Sequence, residues 1–280
     1  MKPNDIFAYA FSAIKLRKLR AGLTTLGVVI GIAAIVALLS ITQGLQIAIA
    51  SQLQKGFATD TLIVSAGGGL GGGADSGFSL LVNDTQTISQ IENVTAALAI
   101  IQRIGYIKTA NGTRRATILG VDFAAYKEIY SSTFIAEDGA DIPSNPESNA
   151  LVVGKRISDP WGNGTMFCRA GDTVEILWAN TTARPLRNES YTGNVVAVLQ
   201  EVGGFSVGGP SDNSIYIPIS KAQGFFGTEK CEMIIVKLKS DDKATIESTA
   251  KTIRNLFGRQ VTVTSSTAVL NIISSVFSTI

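Results

Sequence analysis

The longest run of uncharged residues in this chain lies between Arg20 and Lys55. Its apolar centre, Leu23 to Ile41, is long enough to cross the hydrocarbon core of a bilayer as an α-helix. Apolar residues then recur at every fourth position: Ile41, Leu45, Ile49 and Leu53. The pattern therefore predicts a transmembrane helix that continues outward as an amphipathic stalk.

The same pattern divides the ends of the chain into segments. Residues 1–20 combine an apolar face with a basic end, which predicts an interfacial helix on the cytoplasmic leaflet. Residues 21–55 form the transmembrane helix and stalk. Residues 266–280 are again uncharged and apolar, and they predict the start of a second transmembrane helix that this chain does not complete. A short buried C-terminal helix is the alternative for this last segment.

Between these ends, alternating and β-branched runs predict strands that are separated by helices. The predicted strands are Thr61–Ser65, Ile100–Lys108, Arg114–Val121, Ala150–Val153, Thr173–Leu177, Gly193–Leu199, Ser214–Pro218, Glu232–Leu238 and Gln260–Thr264. The predicted helices are Asp84–Val94, Phe123–Tyr130, Ser220–Phe226 and Asp241–Phe257. Ser240 is the predicted cap of the last helix, and Asn111-Gly112 predicts a hairpin between the two long strands.

Charge orients the predicted membrane helix. Five of the 24 basic residues precede it, whereas only one of the 22 acidic residues does. The positive-inside bias places the N-terminus in the cytoplasm and the residues after the helix outside the membrane. The basic segment favours anionic lipid headgroups as its partner and not nucleic acid, for which no motif is present.

A cleaved signal peptide is the competing interpretation of the N-terminal segment. Ala48-Ile49-Ala50 before Ser51 fits a small-residue cleavage pattern after a basic segment and an apolar core. The apolar core exceeds the ~7 to 15 residues that are usual in signal peptides, however. The stalk pattern also continues past Ala50, which favours an uncleaved anchor.

The chain contains no histidine, which excludes Ser-His-Asp catalysis and histidine-ligated zinc. Gly67, Gly69 and Gly72 match G-x-G-x-x-G, but no helix pattern follows to receive a phosphate, so a flexible loop is predicted. The residues therefore predict no catalytic site, no metal and no cofactor. Cys168 and Cys231 are candidates for a disulfide outside the cell, or else two small buried hydrophobic residues.

Two further sets of residues suggest sites. Gly27 and Gly31 form a G-x-x-x-G pair within the predicted membrane helix, which would let another helix approach closely. Six Asn-X-Ser/Thr motifs lie on the predicted outer side and are candidates for N-glycosylation: Asn83, Asn93, Asn111, Asn163, Asn180 and Asn188. A surface that is rich in polar turns is the alternative explanation of these motifs.

The N-terminal pattern carries a family resemblance. The segment from Lys18 to Ile32, with Gly22, Gly27 and Gly31, resembles the opening of the MacB-type permeases of ABC transporters, which include macrolide exporters and lipoprotein-release permeases. Later segments resemble successive landmarks of the extracytoplasmic core domain of that family: Ala150–Gly154, Ala170–Val174, Gly193–Leu199 and Ile215–Pro218.

The resemblance implies an α+β fold, in which an N-terminal transmembrane helix with a stalk precedes a two-lobed extracytoplasmic domain. An α/β porter-like lobe would comprise residues 56–121 and 214–265, and a β-rich lobe would be inserted between them as residues 122–213. A complete permease of this family has three further membrane helices, which do not follow here. The chain is therefore interpreted as half of a permease: a truncated product, a fragment or one member of a split pair.

The functional expectation follows from the same resemblance. The chain would relay ATP-driven motion to its extracytoplasmic domain without covalent chemistry of its own. Its partners would be a separate ABC ATPase subunit, and either a second copy of the permease or the missing C-terminal half. The alternative function is that of a single-pass surface glycoprotein that binds or senses a partner, and an exported hydrolase is a third hypothesis without a recognisable site.

Overall fold

The structure is a computed structural model that describes residues 18–56, 60–67, 78–180, 187–203 and 208–269. Its contacts divide the chain into two units, residues 1–49 and residues 50–280. Most of the predicted interfacial helix, the glycine-rich loop beyond Gly67, and the end of the predicted second membrane helix lie outside the described residues. We call the second unit the β-rich domain.

Helix α1 runs without interruption from Lys18 to Gly56. At ~1.5 Å per residue, its 39 residues correspond to a length of about 58 Å, roughly twice the hydrocarbon thickness of a bilayer. The predicted span and the predicted stalk are therefore one continuous helix. Thr24, Thr25 and Thr42 each return a side-chain hydrogen bond to a carbonyl of the preceding turn, which satisfies their hydroxyl groups within the helix.

The β-rich domain contains strands and short helices in alternation. The strands are β1 (Thr61–Ala66), β2 (Leu80–Leu81), β3 (Val94–Thr109), β4 (Gly112–Val121), β5 (Ala150–Val153), β6 (Thr173–Asn180), β7 (Arg187–Val198), β8 (Ser214–Pro218), β9 (Lys230–Cys231), β10 (Met233–Leu238) and β11 (Val261–Ser265). The helices are α2 (Asp84–Ser89), α3 (Phe123–Ile129), α4 (Lys155–Ser158), α5 (Ile219–Phe226) and α6 (Lys243–Phe257).

Four strands make an open antiparallel sheet in the order β11-β1-β10-β3. Helix α6 packs against β1 and β11, and its buried stripe consists of Ile246, Thr249, Ala250 and Ile253. This spacing of three and four residues is the one that a helix needs to cover a sheet with a single face. Gly258 ends the helix with a positive φ of 67°.

The remaining long strands close into a ring of six. β3 pairs with β4, β4 with β8, β8 with β5, β5 with β7, β7 with β6, and β6 returns to β3. The pairs β4–β8 and β5–β7 are parallel and the other four are antiparallel. Because each of the six described strands pairs on both sides, the ring has no free edge to which a strand of another chain could add.

Strand β3 belongs to both assemblies. Residues Val94 to Ile100 pair with β10, and residues Ile101 to Thr109 pair with β4. Gly105 of β3 lies close to both β4 and β6. A Cβ atom at this position would lie 2.4 Å from the side chain of Ile118 in β4 and 2.6 Å from the backbone oxygen of Leu177 in β6. Only glycine fits between these two neighbouring strands, so this position allows the ring to close.

The fold class is confirmed: a long apolar helix precedes a mixed domain that is rich in β-strands. The lobe boundaries at residues 121 and 214 stay a prediction. Hydrogen bonding continues across both of them, since β4 pairs with β8 and β8 pairs with β5.

Two predicted helices differ in the structure. Helix α2 ends at Ser89 and not at Val94, because Val94 already pairs with Leu238 in β10. Asn93 turns the chain between them with a φ of 69°, a conformation that asparagine tolerates better than most residues. The cap of α6 is Asp242 and not Ser240: the Asp242 carboxylate accepts a hydrogen bond from the Thr245 amide, and Ser240 instead accepts one from the Asp242 amide.

Candidate functional site

Helix α1 exposes apolar side chains around its whole circumference. Residues 18–45 meet the length and hydropathy required of a membrane span, and none of the most apolar window is buried in the structure. Ile30 and Ile35 are 58% and 59% exposed, and Gly27 and Gly31 have no neighbouring side chain within reach of an added Cβ atom. The packing role of the two glycines therefore stays a prediction, to be tested with a partner helix.

The junction of the open sheet and the ring is fixed by Glu232. Its carboxylate accepts a hydrogen bond of 2.7 Å from the Gln102 amide and an ionic hydrogen bond from the Arg103 guanidinium. Glu232 also donates its own amide to the carbonyl of Ile100. The Glu232 side chain thus accepts the hydrogen bond of the Gln102 amide at the point where β3 stops pairing with β10 and begins to pair with β4.

An aromatic cluster packs helix α5 against the ring. The ring of Phe226 meets that of Trp178 edge to face at 5.0 Å between centroids, and Phe225 meets Tyr191 at 4.8 Å in the same manner. Arg103 lies over the Phe226 ring at 5.8 Å. Offset and edge-to-face aromatic contacts of this kind hold helices tightly on sheets, so α5 is firmly attached to the ring.

A polar cleft of about 310 Å³ lies at the rim of the ring, and we call it the rim cleft. It is bounded by the start of β4, by helix α4 and the turn after it, and by the segments that follow β7 and precede β8. The residues that line it are Arg114, Arg156, Pro160, Glu201, Gly203, Asp212 and Asn213.

Close backbone packing shapes one wall of the rim cleft. A Cβ atom at Gly154 would lie 2.4 Å from the carbonyl oxygen of Ser211 and 2.5 Å from that of Asp212, so no other residue fits before α4. The Gly154 amide donates to the carbonyl of Ser214, and the Ile157 amide donates to that of Asp212. Helix α4 is therefore held directly against the segment that enters β8.

The acidic groups of the rim cleft have partners within the protein. Arg156 donates to Glu201 from Nη2 at 2.8 Å and from Nε at 3.1 Å, and this hydrogen bond raises the pKa of Arg156. The Asp212 carboxylate accepts the amides of Val202 and Gly203 at 2.8 and 2.9 Å. Neither carboxylate is left to attract a cation.

Arg114 is bound differently. Its guanidinium lies 5.7 Å from the centroid of the Trp161 ring and 5.8 Å from that of the Phe167 ring. Its Nε atom is buried and has no hydrogen-bond partner, and no carboxylate pairs with Arg114 among the described residues. Trp161 is 59% exposed, a large value for a tryptophan.

The two cysteines are free and buried, so the candidate disulfide is not formed in the structure. Burial, together with the charge of Asp172, raises the pKa of the Cys168 thiol to about 12. Burial likewise raises the pKa of the Cys231 thiol to about 12, with Glu232 and Asp84 as further causes. The different neighbours show that the two thiols lie in different surroundings, and both have the properties of small hydrophobic residues.

The six candidate glycosylation residues occupy varied positions. Four of them are exposed: Asn83, Asn111, Asn163 and Asn188. Asn93 and Asn180 are half-buried. The Asn111 side-chain nitrogen donates to the carbonyls of Met166 and Phe167 at 3.3 Å, so glycosylation there would break contacts that hold the hairpin to the neighbouring loop.

No cluster of three or more acidic or cysteine side chains suitable for a metal ion occurs in the part of the chain that the structure describes. The rim cleft was missed by the sequence analysis because its residues are spread from Arg114 to Asn213 and join only when the ring closes. The one local signal was Trp161, a large aromatic residue in a turn between Pro160 and Gly162, where small and polar residues are usual.

The chain, with its long apolar helix followed by an open sheet and a ring of strands, was compared with known protein families. The family model described as "MacB-like periplasmic core domain" matches residues 21–256, which include helix α1 as well as most of the β-rich domain. The chain belongs to the MacB-like periplasmic core domain family. Its membership makes it a membrane-anchored chain of the permease type with an extracytoplasmic domain.

Curated relatives agree with this assignment. The chain is 24% identical over 244 residues to the macrolide export ATP-binding/permease protein MacB of Hyphomonas neptunium, with 84% of this chain and 35% of the relative aligned. It is 26% identical over 263 residues to the pyoverdine export ATP-binding/permease protein PvdT of Pseudomonas syringae, with 90% and 36% aligned. The chain thus spans about a third of the length of these relatives.

Solved structures support the fold of the domain. The periplasmic region of MacB from Actinobacillus actinomycetemcomitans superposes with a TM-score of 0.58 at 16% identity, covering 78% of this chain and 94% of that structure. The extracellular domain of the ABC-type transporter YknZ from Gram-positive bacteria gives a TM-score of 0.51 at 18% identity, covering 73% and 99%. The glycoprotein interpretation has no support in any of these similarities.

Proposed function

We propose that this chain is the N-terminal half of an ABC transporter permease, which relays ATP-driven motion from the cytoplasm to its extracytoplasmic domain for the export of substrate. The family match that covers both α1 and the β-rich domain carries the proposal. Relatives of this chain are named as export permeases for macrolides and pyoverdine.

The helix supports a mechanical role. A continuous helix of about 58 Å exceeds the hydrocarbon core by about 28 Å, and such a rigid rod transmits a displacement without absorbing it in a flexible linker. The structure shows α1 as one uninterrupted helix, and it contains no proline, the residue that most strongly kinks a helix. We infer that the N-terminus is cytoplasmic because five basic residues precede the span against one acidic residue.

The energy source would be an ABC ATPase beneath the membrane, because the relatives are named as ATP-binding/permease proteins. The 280 residues themselves contain no G-x-x-x-x-G-K-[ST] motif with which to hold nucleotide phosphates and Mg²⁺. We also propose that a second permease copy, or the C-terminal permease half, packs against α1 through Gly27 and Gly31. Small residues at this spacing allow the backbones of two membrane helices to approach closely.

The test is a pulldown of the full chain from native membranes after crosslinking, with mass spectrometry to identify the partners. The proposal expects an ABC ATPase and a second permease chain in the captured complex, and no ATP hydrolysis by the purified chain alone. Gly31→Leu should reduce capture of the second permease chain. Gly22→Leu is the matched control, because Gly22 lies on the opposite face of α1 and is equally open.

Two results would contradict this function. Capture of monomers without an ATPase would favour the surface-binding alternative, in which the domain acts alone. ATP hydrolysis by the isolated chain would show that the energy source had been misassigned. If Gly22→Leu and Gly31→Leu weaken assembly equally, then the glycine pair is not the packing face.

A further inference from the structure

The open sheet, unlike the ring, has two edges. Strand β11 forms one of them, and residues 94–100 of β3 form the other. At β11 a charged side chain covers the edge, since Arg254 of α6 donates to the carbonyl of Val263 at 2.8 Å. Proteins commonly protect edge strands with charged side chains. At the β3 edge, none of the described side chains hydrogen-bonds to the backbone of Ala97 or Ala99, so this edge lacks such protection.

The backbone groups of Ala97 and Ala99 point away from β10. In an antiparallel pair, successive residues direct their N–H and C=O groups to alternate sides of the strand. The Leu238 amide donates to the carbonyl of Asp60 on the β1 side, so every second residue of β10 before Leu238 also faces β1. Ala97 and Ala99 are the partners of two such residues. Their amides and carbonyls are therefore directed to the opposite edge of β3.

A groove of about 330 Å³ borders this edge, and we call it the edge groove. One wall consists of Asp122 and helix α3, which follow β4 directly. Because β4 pairs with the same edge of β3 from Ile101 onward, the groove occupies the place that a longer β4 would fill. The residues that line the groove are Val82, Thr85, Ala97, Ala99, Asp122, Ala124, Ala125, Glu128 and Ile219.

An extended peptide segment matches this edge. Ala97 and Ala99 together offer two amides and two carbonyls, spaced about 6.6 Å apart along the strand at ~3.3 Å per residue. A second β-strand carries carbonyls and amides at the same spacing, which is how strand addition binds a peptide through its main chain. The alanine side chains of the groove leave room for larger side chains of the incoming segment.

The edge groove is negatively charged. Asp122 and Glu128 are both exposed, and no residue that lines the groove is basic. Neither carboxylate belongs to an ion pair among the described residues. Lys237 donates to the backbone carbonyl of Glu128 at 2.8 Å and not to its carboxylate. The charge of the groove therefore favours a segment with basic side chains.

We propose that the edge groove binds an extended, basic segment of a partner protein, which pairs with β3 at Ala97 and Ala99 as an added strand. In this arrangement the basic side chains of the segment contact Asp122 and Glu128. The proposal does not rest on the transport function, because it concerns only residues of the β-rich domain.

The test uses the full chain in nanodiscs of phosphatidylcholine, a lipid without net charge, titrated by calorimetry with the peptide acetyl-Val-Lys-Val-Lys-Val-amide. Empty nanodiscs give the background. We expect saturable binding of this basic peptide. The same peptide with glutamate in place of lysine should bind more weakly by about tenfold or more, because attraction to two carboxylates becomes repulsion.

Two N-methylated forms of the basic peptide test the pairing itself. One carries methyl groups on the backbone nitrogens of its valines, and the other on those of its lysines. A strand presents alternate amides to its neighbour, so one form should lose about tenfold in affinity while the other binds as the parent peptide does. Recognition by charge alone would give the two forms equal affinity.

Ala97→Pro removes the amide that faces the groove without removing a hydrogen bond to β10. Proline is tolerated at edge positions of this kind, so the domain should keep its unfolding midpoint while affinity for the basic peptide falls by about tenfold. Glu128→Gln is a second variant that guards against misfolding, because Glu128 is exposed. It should weaken the basic peptide by about twofold to fivefold.

Glu147→Gln is the matched control, since Glu147 is an exposed acid outside the groove. This variant should bind the basic peptide as the unchanged protein does. The proposal is overturned if the basic peptide does not bind saturably, if the acidic peptide binds equally well, or if the two methylated forms have the same affinity. Unaltered binding by a folded Ala97→Pro, or equal affinities of Glu128→Gln and Glu147→Gln, would also overturn it.

Discussion

Helix α1 and the β-rich domain handle their apolar residues in opposite ways. In the helix, Ile30 is 58% exposed, whereas Ile118 in β4 of the domain is completely buried. Both are isoleucines in regular secondary structure, but only Ile118 is covered by other residues that the structure describes. The domain therefore contains interactions that stabilise it, whereas the exposed apolar surface of the helix is of the kind that a lipid environment covers.

The difference indicates where each part of the protein is sensitive to change. Truncation of a side chain in the ring removes packing that the domain itself provides. The same truncation in α1 changes only contacts with lipid or with another chain. Both tryptophans of the protein, Trp161 and Trp178, lie in the domain, so tryptophan fluorescence follows the unfolding of the domain and is insensitive to the helix.

The largest effect is expected for Ile118→Ala compared with Ile30→Ala. The first variant should lower the free energy of unfolding of the domain by about 2–5 kcal/mol, since it leaves a cavity inside the ring. The second should leave that free energy unchanged. Urea titrations in detergent, followed by tryptophan fluorescence, measure both. Equal destabilisation by the two variants would mean that α1 packs against the domain and would contradict the distinction made here.

The reverse comparison places a charge in the helix. Ile30→Asp should disfavour membrane insertion by about 3 kcal/mol, because a carboxylate near the centre of a span loses its hydration. The fraction of the chain that resists extraction from membranes by alkaline carbonate should fall, while the domain still unfolds at its usual urea concentration. Ile30→Leu is the control and should behave as the unchanged chain. Retention of Ile30→Asp in the membrane would argue against the span.

A smaller effect is expected at the junction of the open sheet and the ring. Glu232→Gln keeps the shape of the side chain but weakens its bonds to the Gln102 amide and to Arg103. We expect a loss of about 1–2 kcal/mol in the free energy of unfolding, toward the low side of the roughly 1.5–3 kcal/mol typical of hydrogen bonds to charged groups, because the Glu232 side chain is 35% exposed. Glu229→Gln, a nearby exposed change, is the control. Identical unfolding curves for both variants would show that the junction does not depend on the charge.

The smallest effect concerns the N-terminus of α6. Hydrogen bonds from Thr245 hold the pKa of Asp242 below its ordinary value. A lowered pKa in the folded state means that the stabilisation is complete above about pH 4, and is lost as the pH falls through the folded pKa. Asp242→Ala should therefore be less stable than the unchanged protein at pH 7, and the difference should shrink on acidification. Urea titrations at several pH values measure this difference, with Asp241→Ala, the neighbouring change that leaves the cap contact in place, as the control.

The sequence was sufficient for the elements that have a local cause. Strands β5 and β8 agree with their predicted bounds, Ala150–Val153 and Ser214–Pro218, because turn residues flank both apolar runs. Helix α6 ended at Phe257 as expected from Gly258. The prediction that α2 extends to Val94 was wrong. The helical spacing of Ile88 and Ile91 continues to Val94, but the pairing of Val94 with β10 prevails over the local preference for helix.

Features that depend on closure could not be predicted. The pairing of Tyr106 with Leu177, which completes the ring, joins residues separated by two helices and two other strands, and no sequence pattern specifies such a partner. The rim cleft depends on the same closure, since Arg114 and Asp212 come together only through the parallel pairing of β4 and β8. The division into two lobes at residues 121 and 214 rests on the family resemblance and stays a prediction.

The central claim is that α1 anchors a domain that folds outside the membrane, and protease protection tests it most directly. The full chain is expressed with an N-terminal tag, and protease is added to cells whose outer barrier has been opened while the cytoplasmic membrane stays intact. We expect degradation of residues 60–265 with the tag protected, and complete degradation only after the membrane is dissolved. A protected domain with a digested tag, or a mature protein that begins at Ser51, would contradict the claim.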